Sequence, residues 1–264
     1  MNQSTAPSGS PLATYPDLAG KVAVITGGSR GIGAAAATAL GSNGTSVAVV
    51  GRDQSAIDAS VAAVRAAGGL AIGVAADCTV EAELDAVRSR VEEEFGHVDI
   101  LVVFAGGNGM PVRTDKETAS HWREVVETDL TSSFLTVSAF LPGMLARKSG
   151  VIITMASAAA RQAAKSSAAY AAAKAGVIAL TRHLAGEVGH QGIRINCIAP
   201  SAVENEKMRT WVSDEQRRAL GDSFPLGRIG QPDDVASATL FLASDSSSWI
   251  TGVTLDVAGG KIMI

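Results

Sequence analysis

Short runs of β-branched residues alternate with longer alanine-rich stretches from Lys21 onward, and no other feature of the chain narrows its fold as much. VAVIT (22–26), SVAVV (46–50), LAIGVAA (70–76), DILVVFA (99–105), VIITMA (151–156), IRINCIA (193–199) and a last run over 253–257 are nearly continuous in apolar residues. Such runs suit a parallel sheet buried on both faces, because a sheet wetted on one side alternates apolar and polar positions. Between them the pattern predicts helices over 31–43, 54–67, 80–95, 167–189 and 232–244, and over 117–145 either one long helix or two abutting ones. Right-handed crossovers turn that order into an α/β, doubly wound parallel sheet of about seven strands with helices on both faces. Ligands then belong outside the carboxyl ends of the strands.

The 264 residues fit one large domain, and neither a linker nor a repeat divides them. Residues 19–264 read as that domain and residues 1–18 as a flexible leader, which has neither the basic start nor the apolar centre of a signal peptide. A net charge of −4 and a pI near 5.6 argue against a nucleic-acid partner. No run approaches the roughly 20 apolar residues of a membrane span. His97, His121, His183 and His190 lack metal-ligand spacing, so no metal site is expected. Cys78 and Cys197 lie far apart in apolar surroundings, which favours two buried free thiols in a reducing, cytoplasmic setting over a disulfide.

The first strand runs into Thr26-Gly27-Gly28-Ser29-Arg30-Gly31-Ile32-Gly33 and then a helix. Glycines 27, 31 and 33 permit a tight turn whose backbone N–H groups approach a pyrophosphate, with the helix dipole adding attraction. At the end of the second strand, where an acid would hold the ribose hydroxyls of NAD, stand Gly51 and Arg52. Arg52 and Arg30 are suited to a 2′-phosphate, which favours NADP(H) over NAD(H); the alternative is that both are merely solvated.

Tyr170 and Lys174, four residues apart, share one face of the 167–189 helix, and Ser157 follows the fifth strand at its carboxyl end. An ammonium beside a phenol has the sign needed for acid–base work. On its own the pair is ordinary, since most such pairs are a packed ring and a solvated amine.

Together, TGGSRGIG, Ser157 and YAAAK (170–174), in this order and spacing, resemble the short-chain dehydrogenase/reductase family, a Rossmann-like fold; the likeness runs from Lys21 to the C-terminus. It implies that Tyr170 is the general acid/base, that Ser157 bonds the substrate oxygen, and that Lys174 holds the nicotinamide ribose and tunes the phenol. It further implies cofactor contacts at Ser29, Ile32, Asp77 (adenine), Cys78, Ala105, Gly106, Pro200, Val203 and Asn205, besides the turn, Tyr170 and Lys174. The chain departs from the family pattern in four places. Val103-Phe104 replace two asparagines before Ala105-Gly106, Asp129 replaces the asparagine of the proton relay, Ser201 follows Pro200, and Asn205 stands for a threonine. A carboxylate at 129 would work against the ammonium's effect on the phenol, although its backbone carbonyl could still hold a water.

The 3-oxoacyl-(acyl carrier protein) reductase branch is the most similar. Of its two carrier-docking bases Lys148 keeps one, and Gln191 stands at the other. Met208, Trp211, Val212 and Phe224 are compatible with an amphipathic lid or with plain core. Three readings follow: an NADPH-dependent reductase of a ketone or 3-oxoacyl thioester, a dienoyl thioester reductase or alcohol dehydrogenase on the same scaffold, and a dinucleotide binder without turnover. The small-residue helix faces and the family likeness imply a homotetramer or homodimer.

Overall fold

The computed structural model describes residues 12–107 and 109–264, with the side chains of Lys207 and Trp211 outside that description. Its strands are β1 (Val22–Thr26), β2 (Ser46–Gly51), β3 (Ala71–Ala75), β4 (Ile100–Val103), β5 (Gly150–Met155), β6 (Ile193–Pro200) and β7 (Thr254–Val257). They form one sheet in the order β3-β2-β1-β4-β5-β6-β7, and every pairing is parallel. The order reverses direction between β1 and β4, the place where a doubly wound sheet opens a crevice for a ligand.

Alternation along the strands sorts side chains onto the two faces. Ala23, Ile25, Val47, Val49, Ile100, Val102 and Ile153 join one cluster with residues of α1 (Gly31–Ser42), α2 (Gln54–Ala66) and α9 (Pro232–Ala243). Val22, Val24, Ala48, Val50, Leu101, Val103 and Ile152 join the other with α3 (Glu81–Phe95), α5 (Ser132–Arg147) and α6 (Ala168–Val188). Both faces are therefore dry, as the continuous apolar runs require. Alanines supply much of the contact on α1, where Ala36, Ala37 and Ala39 are buried beside Leu40. Their size lets α1 lie close to both the sheet and α9.

Three expectations change. The stretch over 117–145 is α4 (Ala119–Val126) and α5 joined without a break by a single π-helical segment, Glu127–Thr131. The irregular stretch after β6 holds two short helices, α7 (Glu206–Trp211) and α8 (Asp214–Asp222). The leader is shorter than residues 1–18. Leu18 is wholly buried, its carbonyl accepts the Thr45 hydroxyl at 3.1 Å, and the Tyr15 N–H donates to Asn43 Oδ1 at 2.7 Å. Leu12 and Tyr15 also pack on the first cluster. The leader's residues 1–11 lie outside the described residues. Among the described residues, no helix is long and apolar enough to cross a membrane, and no group of His, Cys, Asp and Glu is placed to hold a metal.

Leu18→Ala should lower unfolding stability by about 2–5 kcal/mol, the usual loss for a fully buried leucine. Urea titration reads this as a lower midpoint at constant slope, and a change under about 0.5 kcal/mol would return Leu18 to the leader.

Candidate active site

Because all the strands are parallel, the loops leaving β1 to β6 gather on one edge and enclose a cleft of about 840 Å³. The turn after β1 forms one wall. Its backbone is left-handed at Gly27 (φ 67°) and Gly31 (φ 53°), a region that favours glycine. A Cβ on Gly27 would sit 2.6 Å from the Phe104 carbonyl oxygen, so only glycine lets the turn pass the chain leaving β4. Every residue anticipated for the cofactor lines the cleft except Gly31, which opens α1, and Lys174, which lies behind Tyr170. A cleft of this volume that starts at a glycine turn and helix N-terminus and reaches a tyrosine suits a dinucleotide in chemistry.

Arg30, Arg52 and Asp77 line the end of the groove near β2 and β3, and Asp53 stands beside it. Arg30 Nη2 lies 2.6 Å from Asp53 Oδ2, while Asp53 Oδ1 accepts the Ala56 N–H at 3.1 Å and so caps α2. The Ala56 N–H, then Arg30, hold the Asp53 carboxyl below the usual carboxylate range. Opposite them, Asp77 Oδ1 accepts the Thr79 N–H and hydroxyl at 2.9 and 2.8 Å. Those bonds, and more weakly the Arg52 guanidinium, lower the Asp77 carboxyl as well. Cys78 lines the groove beside it, but burial pushes its thiol up to about 11, so it is a neutral wall at physiological pH. Cys197 is also buried, and neither cysteine is bridged.

At the other end, Ser157 follows β5 and its Oγ accepts the Ala159 N–H at 3.2 Å. Tyr170 lies in the first turn of α6, where Ser167 caps the helix by accepting the Tyr170 N–H at 3.1 Å. The Tyr170 ring packs against the loop at Gly109, where a Cβ would come within 3.1 Å of the ring. One turn further on, Lys174 Nζ lies 5.8 Å from the ring centroid and donates to the Met155 carbonyl at 3.1 Å.

Asp129 is wholly buried in the π-helical segment, and its Oδ1 lies 3.0 Å from Lys174 Nζ. The same oxygen accepts the Gly107 N–H at 2.7 Å, so one carboxylate ties the loop after β4 to the lysine. Gly106 is required there, since a Cβ would approach Oδ1 to 2.6 Å. The Asp129 backbone carbonyl, considered above as a water site, accepts the Ser133 hydroxyl at 3.2 Å. A π-turn adds a residue to the helix and swings Asp129 inward; such bulges concentrate at functional sites.

The other departures also have physical reasons. Val103 completes β4 and Phe104 packs into the core, so apolar contacts replace two amides. Thr26 then supports the loop by accepting the Ala105 N–H at 3.4 Å. Asn205 lines the cleft, yet its Oδ1 caps α7 by accepting the Met208 N–H at 2.9 Å and its amide donates to the Val203 carbonyl. Of the residues considered for a lid, Met208 lines the cleft and Phe224 is buried in plain core; the Trp211 side chain lies outside the described residues. Lys148 caps α5 just before β5 begins, at the opposite edge of the sheet from Tyr170. Sequence reasoning missed Asp53, although an acid just before a helical run is a legible cap. It also missed Glu124, Thr128 and Ser132, which line the cleft but carry no motif.

Comparison with known proteins agrees with this geometry. A family model described as enoyl-(acyl carrier protein) reductase matches residues 27–261. The chain is 39% identical to the 3-oxoacyl-(acyl-carrier-protein) reductase of Vibrio cholerae over 250 residues, covering 94% of this chain and 100% of that one. It is also 39% identical to 3beta-hydroxysteroid dehydrogenase 1 of Eggerthella lenta, covering 94% and 96%. Among solved structures, a 7 alpha-hydroxysteroid dehydrogenase complexed with NADH and 7-oxo glycochenodeoxycholic acid superimposes with a TM-score of 0.87 at 33% identity, covering 95% and 97%. The fold and these likenesses define an oxidoreductase on a Rossmann-like scaffold. The chain belongs to the short-chain dehydrogenase/reductase family.

Asp129→Ala would leave the Lys174 ammonium buried without its carboxylate, a loss of about 3–5 kcal/mol. At roughly 2–4 °C per kcal/mol for a chain of this size, thermal denaturation should show a fall on the order of 10 °C. Asp129→Ala with Lys174→Met should recover much of it, and equal melting of the two variants would mean that the pair does not hold the site together.

Proposed function

We propose that this protein is an NADP(H)-preferring oxidoreductase that reduces a ketone or 3-oxoacyl carbonyl to the alcohol, with Tyr170 as general acid. The observation that carries the reading is that Ser157 and Tyr170 line the same cleft as the glycine turn, with Lys174 directly behind the tyrosine. A bound dinucleotide supplies the hydride. The chain supplies the rest. The turn and the α1 N-terminus hold the pyrophosphate, Asp77 reaches the adenine, and Arg52 with Arg30 meets the 2′-phosphate. Ser157 Oγ fixes the carbonyl oxygen by hydrogen bonding. As the carbon gains hydride, the Tyr170 hydroxyl gives that oxygen its proton, and the phenolate recovers a proton from solvent. Lys174, anchored on the Met155 carbonyl, lies beside the phenolate while it exists, and the Asp129 carboxylate 3.0 Å from its ammonium offsets part of that attraction.

The relatives' printed activities, on 3-oxoacyl groups and hydroxysteroids, support a secondary alcohol/ketone pair. A free ketone or an acyl thioester is the substrate class. Carrier-protein docking finds little support within one chain, since Lys148 lies at the far edge and Gln191 bonds His190. Trp122 and Phe134, exposed on α4 and α5, support self-association as a homodimer or homotetramer. The two free thiols support a cytoplasmic setting. A second reading, reduction of a conjugated thioester double bond, is favoured only by Asp129 and by the name of the matching family model. Oxidation of NADPH over a panel of ketones, 3-oxoacyl thioesters and enoyl thioesters separates the two, and NADPH binding without turnover on any of them would leave a non-catalytic binder.

Tyr170→Phe should lower kcat by about 10²–10⁴-fold while NADPH affinity, followed by cofactor fluorescence, stays within about twofold; normal turnover would remove Tyr170 as the acid. Arg52→Asp should weaken NADPH about ten- to hundredfold and NADH much less. Equal losses would remove the phosphate role.

A further inference from the structure

The 2′-phosphate end of the groove is not a positive pocket. Arg30, Arg52 and Asp77 line it, and Asp53, just outside the lining, pairs with Arg30, so neither arginine stands apart from a carboxylate. Asp77 is committed to Thr79 through one oxygen and faces Arg52. Asp53 is held in place by the backbone it caps, so its second oxygen is fixed where Arg30 reaches it at 2.6 Å. Arg30 belongs to the glycine turn and Asp53 to the start of α2, so their ion pair spans the two loops between which the adenosine ribose must lie. The turn also leaves little room to rearrange, because a Cβ on Gly51 would meet Ser29 Oγ at 2.9 Å.

We infer that Asp53 is a specificity-determining residue that competes with the 2′-phosphate of NADP(H) for Arg30 and so brings the affinities for NADPH and NADH close together. This rests on the cofactor assignment made above. When a phosphate dianion arrives, Arg30 has to leave Asp53, and the carboxylate then faces like charge. With NADH bound the ion pair stays closed and nothing is lost. Both side chains are about half exposed, so the pair is screened and its effect on affinity is modest, not absolute. Arg52, which feels Asp77 only at a distance, is the less contested base and leaves a preference for NADPH, but a shallow one.

Asp53→Asn tests this cleanly, because asparagine caps a helix as well as aspartate does and removes only the charge. Dissociation constants for NADPH and NADH, measured by cofactor fluorescence without substrate, should show NADPH tightened about three- to tenfold and NADH changed by less than about twofold. In an Arg30→Met background the gain from Asp53→Asn should largely disappear, since the competition has lost its object. An unchanged NADPH/NADH ratio, or the same gain without Arg30, overturns the inference while the cofactor assignment stands. Absence of binding by either dinucleotide to the unaltered protein overturns both. Should Asp53→Asn fail to fold, Asp53→Ser, which also caps, gives the same comparison.

Discussion

A sheet whose strands all run one way brings every strand exit to one edge, and the site exists because of that geometry. Residues 27, 29, 30, 32, 33, 52, 77, 105, 157 and 200 are scattered over most of the chain, yet each follows or ends a strand and lines the same groove. The price of the arrangement is that both faces must be covered, which α1 does largely with alanines and the helices opposite it with larger side chains such as Leu84, Phe140 and Met144. The reversal of strand order between β1 and β4 separates the loops at one point, and the glycine turn occupies that opening. Changes in the loops can then alter chemistry without disturbing the layers that hold them.

Behind the groove wall, the Asp129–Lys174 pair braces the end that holds Ser157 and Tyr170, as the glycine turn shapes the other end. Two charges almost without access to water carry a large desolvation penalty, which only good geometry offsets. Here one carboxylate oxygen meets both the ammonium and the Gly107 N–H, and the ammonium also meets the Met155 carbonyl. The loop after β4, the π-turn, α6 and the end of β5 are locked at a single point. Val103 and Phe104 stand where the family pattern has two asparagines, and Asp129 anchors that loop through the Gly107 N–H.

The fold was legible because its signal is collective. Seven apolar runs and the helices between them agree on one architecture even where individual boundaries slip. The candidate trio was legible because Ser157, Tyr170 and Lys174 keep a fixed order along the chain. What sequence could not show depends on distances between segments. The burial of Leu18 is set by the end of α1 across the fold, and a run such as PDL carries no periodicity to announce it. The Asp129 contact to Lys174 needs a π-turn, which leaves no trace in residue type. The Arg30–Asp53 pair joins positions 23 apart in sequence that meet only because β1 and β2 are neighbours.

These hidden contacts share a consequence for how such a site tolerates change. Each is a side-chain charge fixed by backbone geometry: Asp53 by its cap on α2, Asp129 by the π-turn and the Gly107 N–H. A charge placed in this way cannot swing aside when its partner is removed or when a ligand brings another charge. The two sites nevertheless respond differently, because solvent decides how far a fixed charge is felt. At the exposed Arg30–Asp53 pair water screens the interaction, so it adjusts affinity by small factors. At the buried Asp129–Lys174 pair nothing screens it, and the same kind of contact becomes a condition for the site to form.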